Sequence, residues 1–321
     1  MAGAIAGTAI TNSLKSCSKQ KIITLTINNF CNYKCPHCYL DYQSSEKYIS
    51  LKVVEKLFEL EFEHLVVAGK EPFADNRSLE ISKLLIELCY KAGKTISFIT
   101  NGVNLYLLEN IDLQKIKYID VSFDGGINSY KQYRGGDIIK ILHNINTLKE
   151  RGLKKINALH ILSKKTIANL SDMLMLNYYA DFDKMMFSPY LDTQGFVHRN
   201  EKVLPLVDII SALQSNEYFH RFENSFLLLD KYNFEKEREL SIENIDEYLK
   251  NKVIASKVLV VKKDPIEYGF IRVTYNGFVL TPTDSLHTAN YGVNQVPLSE
   301  YNNNVFSEML NDEKVRHKLT I

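Results

Sequence analysis

Cysteine is scarce in this chain, net charge is nearly absent, and no long uninterrupted apolar run occurs. Each shortage excludes a class of protein. Five cysteines in 321 residues, with Cys17 and Cys89 isolated and none after Cys89, do not make the paired framework of a small secreted disulfide scaffold. A reducing cytoplasm is therefore the expected compartment. Thirty-nine Lys and Arg against 38 Asp and Glu leave a formal charge of +1, so no global field draws nucleic acid or an acidic membrane surface, and neither is expected as a partner. No run approaches the roughly eighteen apolar residues of a membrane span. Met1 to Ser13 is small and apolar but lacks a basic leading segment. It reads as an extension, not a signal peptide.

What is present is concentrated. Three of the five cysteines fall in Cys31-Asn32-Tyr33-Lys34-Cys35-Pro36-His37-Cys38-Tyr39, a C-x3-C-x2-C spacing directly after the alternating run Lys21 to Asn28. Thiolates on so short a loop can turn onto one soft metal centre. A structural zinc would close its shell with a fourth protein ligand, for which His37 or His64 is available in sequence, whereas a four-iron cluster held by three cysteines keeps one iron open.

At 45% hydrophobic residues the chain can bury a large core, one sizeable domain with a smaller one. From Lys21 the pattern alternates strand and helix. Strands are expected at Lys21–Asn28, His64–Ala68, Thr95–Ile99, Tyr118–Phe123, Ile156–Leu162 and Lys184–Pro189. Helices are expected at Leu51–Phe62, Leu79–Ala92 (with a left-handed cap at Gly93), Asn104–Lys115, Asp137–Arg151, Ala168–Ala180 and Leu204–His220. Strands separated by helices of this length pair in parallel with right-handed crossovers. The expected fold is α/β, a partial (β/α)6 barrel over 20–220, preceded by an extension at 1–19. A small α+β region follows at 221–321, containing a charged, helical connector at Phe222–Lys252 and a hairpin at Phe270–Thr281 turning on Asn276-Gly277 as a type I′ turn.

In such folds ligands sit at the C-terminal edges of the strands. The distinctive short segments all follow strands there: the cysteine loop, Gly69-Lys70-Glu71-Pro72, Thr100-Asn101-Gly102, and Ser122-Phe123-Asp124-Gly125 with Arg134 ten residues beyond the aspartate.

These residues resemble the radical S-adenosylmethionine superfamily over about residues 20 to 200, and within it the peptide-modifying branch that matures ribosomally made peptides. The resemblance implies that Cys31, Cys35 and Cys38 ligate one [4Fe-4S] cluster. Its fourth iron would chelate S-adenosylmethionine, and reduction would cleave the sulfonium to a 5′-deoxyadenosyl radical. It further implies that Gly69 and Glu71 receive the methionine ammonium, that Ser122 touches the ribose or methionine end, that Arg134 pairs with the methionine carboxylate, and that Asn101 and Asp124 belong to the cofactor site. Capping and turn stabilisation is the alternative for those last two.

Two positions depart from the family pattern: Lys70 stands where a second glycine is usual, and His37 where an aromatic is. Tyr39 offers a flat face to the adenine instead. Lys70 and Tyr190 are candidate catalytic rim residues, and Phe187-Ser188-Pro189-Tyr190 is a candidate wall or simply core. The relatives' cysteine-rich C-terminal module is represented only by the hairpin, with Thr281-Pro282-Thr283 where a cysteine is expected, so no auxiliary cluster is expected. Cys17 and Cys89 are candidate hydrogen donors; a small buried hydrophobe is the plainer reading of Cys89. The implied partners are a precursor peptide and a reductant such as a flavodoxin or ferredoxin. The implied outcome is a crosslink in the peptide, with epimerisation, oxidation or small-molecule maturation as alternatives; a zinc-stabilised binding protein is the reading from another class.

Overall fold

Short β-branched runs and amphipathic segments alternate along the chain, and each becomes a strand or a helix of one sheet system. The computed structural model describes residues 21–35, 37–38, 46–190, 204–230, 240–261, 270–280 and 295–297. Expectations for the N-terminal extension, Cys17, Tyr39, Thr281-Pro282-Thr283 and the tail lie outside the described residues.

Eight strands pair in parallel in chain order: β1 (Ile22–Leu25), β2 (His64–Val67), β3 (Thr95–Thr100), β4 (Ile116–Ser122), β5 (Ile156–Leu162), β6 (Lys184–Pro189), β7 (Ser225–Asp230) and β8 (Val258–Val261). On the far side of β1, β9 (Phe270–Val273) adds in parallel. β10 (Phe278–Leu280) and β11 (Gln295–Pro297) then complete the sheet in antiparallel fashion. Among the described residues the two ends of this order do not pair, so the barrel they form is open.

Alternation along the strands separates two apolar faces. Ile23, Leu25, Leu65, Val67, Phe98, Ile119 and Val121 join the large core under the helices. Ile22, Val66, Ala68, Leu159, Met186 and Leu228 form a second cluster on the opposite face.

The helices are α1 (Leu51–Phe58), α2 (Asn76–Lys91), α3 (Tyr130–Arg134), α4 (Ile138–Glu150), α5 (Leu170–Tyr179), α6 (Leu206–Gln214), α7 (Glu217–Arg221) and α8 (Ile245–Leu249), with a single helical turn at Lys164–Ile167 and short 3-10 turns besides. Asp75 caps α2 by accepting the Ser78 N–H, and Asp137 caps α4. Gly93 ends α2 at φ +66°, with Lys94 N–H reaching back to the Cys89 carbonyl at 2.8 Å. This is the left-handed cap expected there.

Four expectations are corrected. Asn104–Lys115 is two turns of 3-10 helix, Leu105–Asn110 and Leu113–Lys115, not α-helix. Leu204–His220 is broken into α6 and α7, because the Asn216 side chain accepts the Tyr218 N–H and starts a new helix. Phe222–Lys252 contains strand β7, and the sheet therefore runs uninterrupted across residue 220. The hairpin does not turn as type I′, which needs positive φ at both central residues. Among the described non-glycine residues only Asp181 and Asn251 have positive φ, and Gly277 lies at +83°. With Gly277 N–H on the Thr274 carbonyl at 3.0 Å, this is a turn centred on Tyr275 and Asn276 followed by a glycine bulge.

Candidate functional site

The rim is built first from a polar residue at the end of an apolar run. Asn28, fully buried just past β1, donates from Nδ2 to the Glu71 carbonyl at 2.7 Å and to Ser78 Oγ at 2.9 Å. It thereby ties the β1 loop to the turn after β2. That turn begins at Gly69, whose φ of +121° and closeness to Thr26 both require glycine: an added Cβ would lie 2.3 Å from Thr26 Cγ2. The buried Thr26 Oγ1 beside it has no protein partner. Lys70, the departure from the family pattern, is half-buried and is not among the positive-φ residues, so lysine brings no backbone strain.

Glu71 is 2% exposed and has partners other than those the resemblance implies. Its Oε1 accepts from Thr100 Oγ1 at 2.6 Å and Phe73 N–H at 3.1 Å, and its Oε2 from Asn101 N–H at 2.8 Å. A carboxylate offers about four acceptor positions, and three are taken. Burial raises its pKa to about 7, against the lowering effect of those same donors. Glu71 is thus an internal tie between the turn after β2 and the end of β3.

The cysteine loop docks on these ties. Cys31 Sγ accepts from Tyr33 N–H at 3.3 Å and from Asn101 Nδ2 at 3.6 Å, and that amide also bonds Asn32 Oδ1 at 2.8 Å. Cys35 is buried, with Arg134 Nη1 3.9 Å from its sulfur. Burial pushes the Cys31 and Cys35 thiols up, Cys35 to about 11, and neighbouring cysteines add to the rise in both. Losing those protons is work that a bound metal performs.

Across the rim, Asp124 and Arg134 form a buried pair. Arg134 Nε and Nη2 both reach Asp124 Oδ2, at 2.7 and 2.5 Å, while Ile161 N–H donates to Oδ1 at 2.6 Å. Burial would raise the Asp124 pKa, but the guanidinium and the His37 ring outweigh it and hold the carboxyl well below its usual range. His37 Nε2 lies 3.2 Å from Asp124 Oδ2, and its ring stacks on Tyr133 at 4.4 Å and 11°. His37 therefore does replace an aromatic as a flat element, and it also anchors the cysteine loop to β4. The sequence offered the spacing of Asp124 and Arg134, but not that the second would spend its fork on the first.

Of the sequence-expected residues, Cys31, Cys35, Gly69, Glu71, Asn101, Asp124 and Arg134 come together in one network. Cys38 joins through its N–H on the Cys35 carbonyl at 3.1 Å. Ser122 ends β4, half-buried. Tyr190 follows β6, two strands away, its N–H on the Leu162 carbonyl at 2.8 Å. Phe187 is core, stacked on the buried His160 at 4.7 Å. Cys89 is also core: it is fully buried, and burial pushes its thiol up to about 12. Asn28, Thr26 and Tyr133 were missed. Asn28 carried a signal, a polar residue ending the run KIITLTIN; Tyr133 carried none.

The donor set distinguishes the two metal readings. His64 is buried at the opposite end of the sheet, paired in register with Ile22 at the start of β1. Its Nδ1 is 2.7 Å from Thr95 Oγ1 and its Nε2 2.9 Å from Ser97 Oγ. His37 is committed to Asp124 and Tyr133. Neither is placed to complete a zinc shell. Among the described residues no three Cys, His, Asp or Glu side chains converge on a single point as the ligands of one ion do. Three thiols on one loop, beneath a glycine turn with an unpartnered buried hydroxyl, are a donor set that fits an iron-sulfur cluster with a small polar cosubstrate beside it.

Comparison with known proteins gives the same direction. The sequence profile of the radical SAM superfamily matches residues 25–175, whereas no curated protein sequence matches the chain. Among solved structures, Streptococcus suis SuiB bound to precursor peptide SuiA superposes with a TM-score of 0.67 at 14% identity, over 98% of this chain and 71% of that one. Native anSMEcpe with bound AdoMet gives 0.59 at 18%, over 94% and 84%, and anSMEcpe with AdoMet and the Kp18Cys peptide gives 0.60 at 18%, over 93% and 83%. At such identities the structural likeness establishes the fold alone. The profile, however, runs from the end of β1 into α5 and so takes in every residue of the rim network from Asn28 to Arg134: over that stretch the chain matches the radical S-adenosylmethionine superfamily.

Proposed function

We propose that this chain is a cytoplasmic radical S-adenosylmethionine enzyme that abstracts hydrogen from a peptide substrate, forming a carbon-carbon, thioether or ether crosslink in a ribosomally made peptide. The observation that carries the reading is the docking of the cysteine loop onto Asn101, Asp124 and Arg134 at one rim, with Asn101 in turn held by Glu71. When bound, the [4Fe-4S] cluster supplies the electron that cleaves S-adenosylmethionine to a hydrogen-abstracting radical. Cys31, Cys35 and Cys38 would hold the cluster, one per chain, since no cysteine follows Cys89.

The protein's part is orientation. Gly69 lets the turn approach closely, and Glu71 fixes that turn to the end of β3. Ser122 faces the cosubstrate from β4, and Tyr39 offers the adenine a flat face. Arg134 meets the methionine carboxylate with the N–H groups left over from Asp124. Lys70 and Tyr190 flank the opening as candidate catalytic residues toward the substrate. Support for a peptide substrate comes from the neighbours, since SuiB is seen with a precursor peptide and anSMEcpe with a peptide. A flavodoxin or ferredoxin is the proposed reductant.

The test is anaerobic reconstitution of the full chain. About four irons per chain and reductant-dependent formation of 5′-deoxyadenosine support the reading, and stoichiometric zinc in a colourless protein refutes it. With the precursor peptide encoded beside it, a crosslink removes the mass of two hydrogens. An unchanged mass with an inverted residue replaces crosslinking by epimerisation.

A further inference from the structure

Two side-chain hydrogen bonds of the rim end on cysteine sulfur, beside the backbone N–H of Tyr33 that also reaches Cys31 Sγ. The Asn101 side chain is fixed in orientation by its neighbours. Its Oδ1 accepts the Val103 N–H at 3.0 Å, and its Nδ2 donates to Asn32 Oδ1 at 2.8 Å. The remaining N–H of that amide lies toward Cys31 Sγ, 3.6 Å away. Arg134 is fixed just as firmly, with Nε and Nη2 on Asp124 and Nη1 3.9 Å from Cys35 Sγ. Both residues are buried, Asn101 at 5% and Arg134 at 8% exposure. The loop after β3 and the helix α3 after β4 therefore each aim one immobile donor at one thiol.

We infer that Asn101 and Arg134 are positioning residues that set the reduction potential of the cluster, by donating N–H groups to the Cys31 and Cys35 thiolates; this rests on the reading of those cysteines as cluster ligands. Reduction adds one electron, and the added charge spreads onto the sulfurs. A fixed donor, or a guanidinium, stabilises that charge more than the charge of the oxidised form. In a site with little water the difference is not screened away. Hydrogen bonds to the sulfurs are among the levers that set such potentials. The same two side chains tie the cysteine loop to β3 and β4, so one set of contacts holds the cluster and tunes it.

The test uses the reconstituted full chain without S-adenosylmethionine and reads the midpoint potential by redox titration with electron paramagnetic resonance. Asn101→Asp keeps the shape and the acceptor for Val103 N–H while replacing the donor with a negative oxygen; Asn101→Ala removes the group. Both are expected to lower the potential, shifting the oxidised-to-reduced ratio at a fixed potential about tenfold, or 59 mV for one electron, with Asp the larger effect. Arg134→Lys keeps the cation but loses the planar fork, and reads the Cys35 side independently, with a shift in the same direction.

Midpoints within twofold of wild type in all three variants overturn the inference. So does loss of iron in the variants while their residual clusters titrate like wild type, which is what a mere prop for the loop would give. Failure of the wild-type chain to bind iron is a separate result: it defeats the cluster reading before any variant is compared.

Discussion

A methyl group added at Gly69 would sit 2.3 Å from Thr26 Cγ2, on a backbone held at φ +121°. Neither problem relaxes alone, because Asn28 pins the turn from one side and Glu71 from the other. Gly69→Ala is expected to cost ~2 kcal/mol or more of stability and to abolish S-adenosylmethionine binding. Urea unfolding and calorimetric titration read the two effects, and a stable variant with normal binding contradicts the proposed role of the turn. Lys70 is the contrasting case. The neighbouring glycine of the family pattern is dispensable here because the backbone at 70 does not enter the left-handed region.

This is also where sequence reading stopped short at the site. It could name Glu71, Asp124 and Arg134, because their types and spacing are printed in the chain. It could not tell that Thr100, Phe73 and Asn101 would engage the first, or that the other two would engage each other. Those partners depend on how strands register, not on motif.

His64 lies apart from the rim, 2% exposed, with Thr95, Ser97 and Tyr118 around its ring. Burial, then repulsion from Lys117, lowers its pKa from 6.5 to about 3. Its sign is therefore fixed: the unfolded chain takes up a proton that the native chain refuses. The stabilisation is full above pH 6.5 and is lost as pH falls toward about 3, at up to ~1.4 kcal/mol per pH unit. Metal-free chain unfolded in urea between pH 5 and 7.5 is expected to weaken on acidification. His64→Gln should weaken less steeply over the same range, and equal slopes for the two proteins would contradict the assignment.

At the level of elements, the strands and helices around the site were legible because each carries a clear period and a chemical stop, such as Asp75 and Gly93 around α2. β7 was not. Ser225-Phe226-Leu227-Leu228-Leu229-Asp230 has no alternation, since a strand between two parallel neighbours is buried on both faces and reads as a continuous apolar run.

What fixes β7 in place is a residue 32 positions beyond Ser225. Lys257 donates from Nζ to the Phe219 carbonyl at 2.9 Å, the Phe222 carbonyl at 2.6 Å and Ser225 Oγ at 2.9 Å. It gathers the end of α7 and the start of the strand. Lys257→Met keeps the stem but removes the cation's bonds and leaves the Phe219 and Phe222 carbonyls with Ser225 as their donor, and is expected to cost about 1–3 kcal/mol with iron content unchanged. Thermal unfolding beside iron analysis checks this; a loss of iron would mean that the cation reaches further than the β6–β7 edge.

For the whole molecule, sequence patterning suggested a six-stranded barrel ending near residue 220, with a small region after it. The sheet does not respect that division. β7 pairs with β6 through Met185, Met186 and Phe187, β8 pairs with β7, and β9 returns to β1, pairing Thr24 with Arg272 and Leu25 with Val273. Both flanks of the first six strands are therefore covered by chain that follows residue 220. A cut there would bare two long apolar strand edges, and with them the second apolar cluster, to which Phe226, Leu228 and Val261 contribute. β1 is the strand that leads into the cysteine loop, so the loss of β9 would loosen the rim directly. The long range of these pairings is why they escaped a local reading: nothing near Ile22 announces a partner at Phe270. A chain ending at 220 is accordingly expected to aggregate or to lack protease protection across β1 and β6. The full chain is expected to unfold in a single cooperative transition, by circular dichroism and by tyrosine fluorescence alike. A soluble, protease-resistant 1–220 fragment that takes up iron would show instead that the first six strands form an autonomous unit and that the later strands are only appended to it.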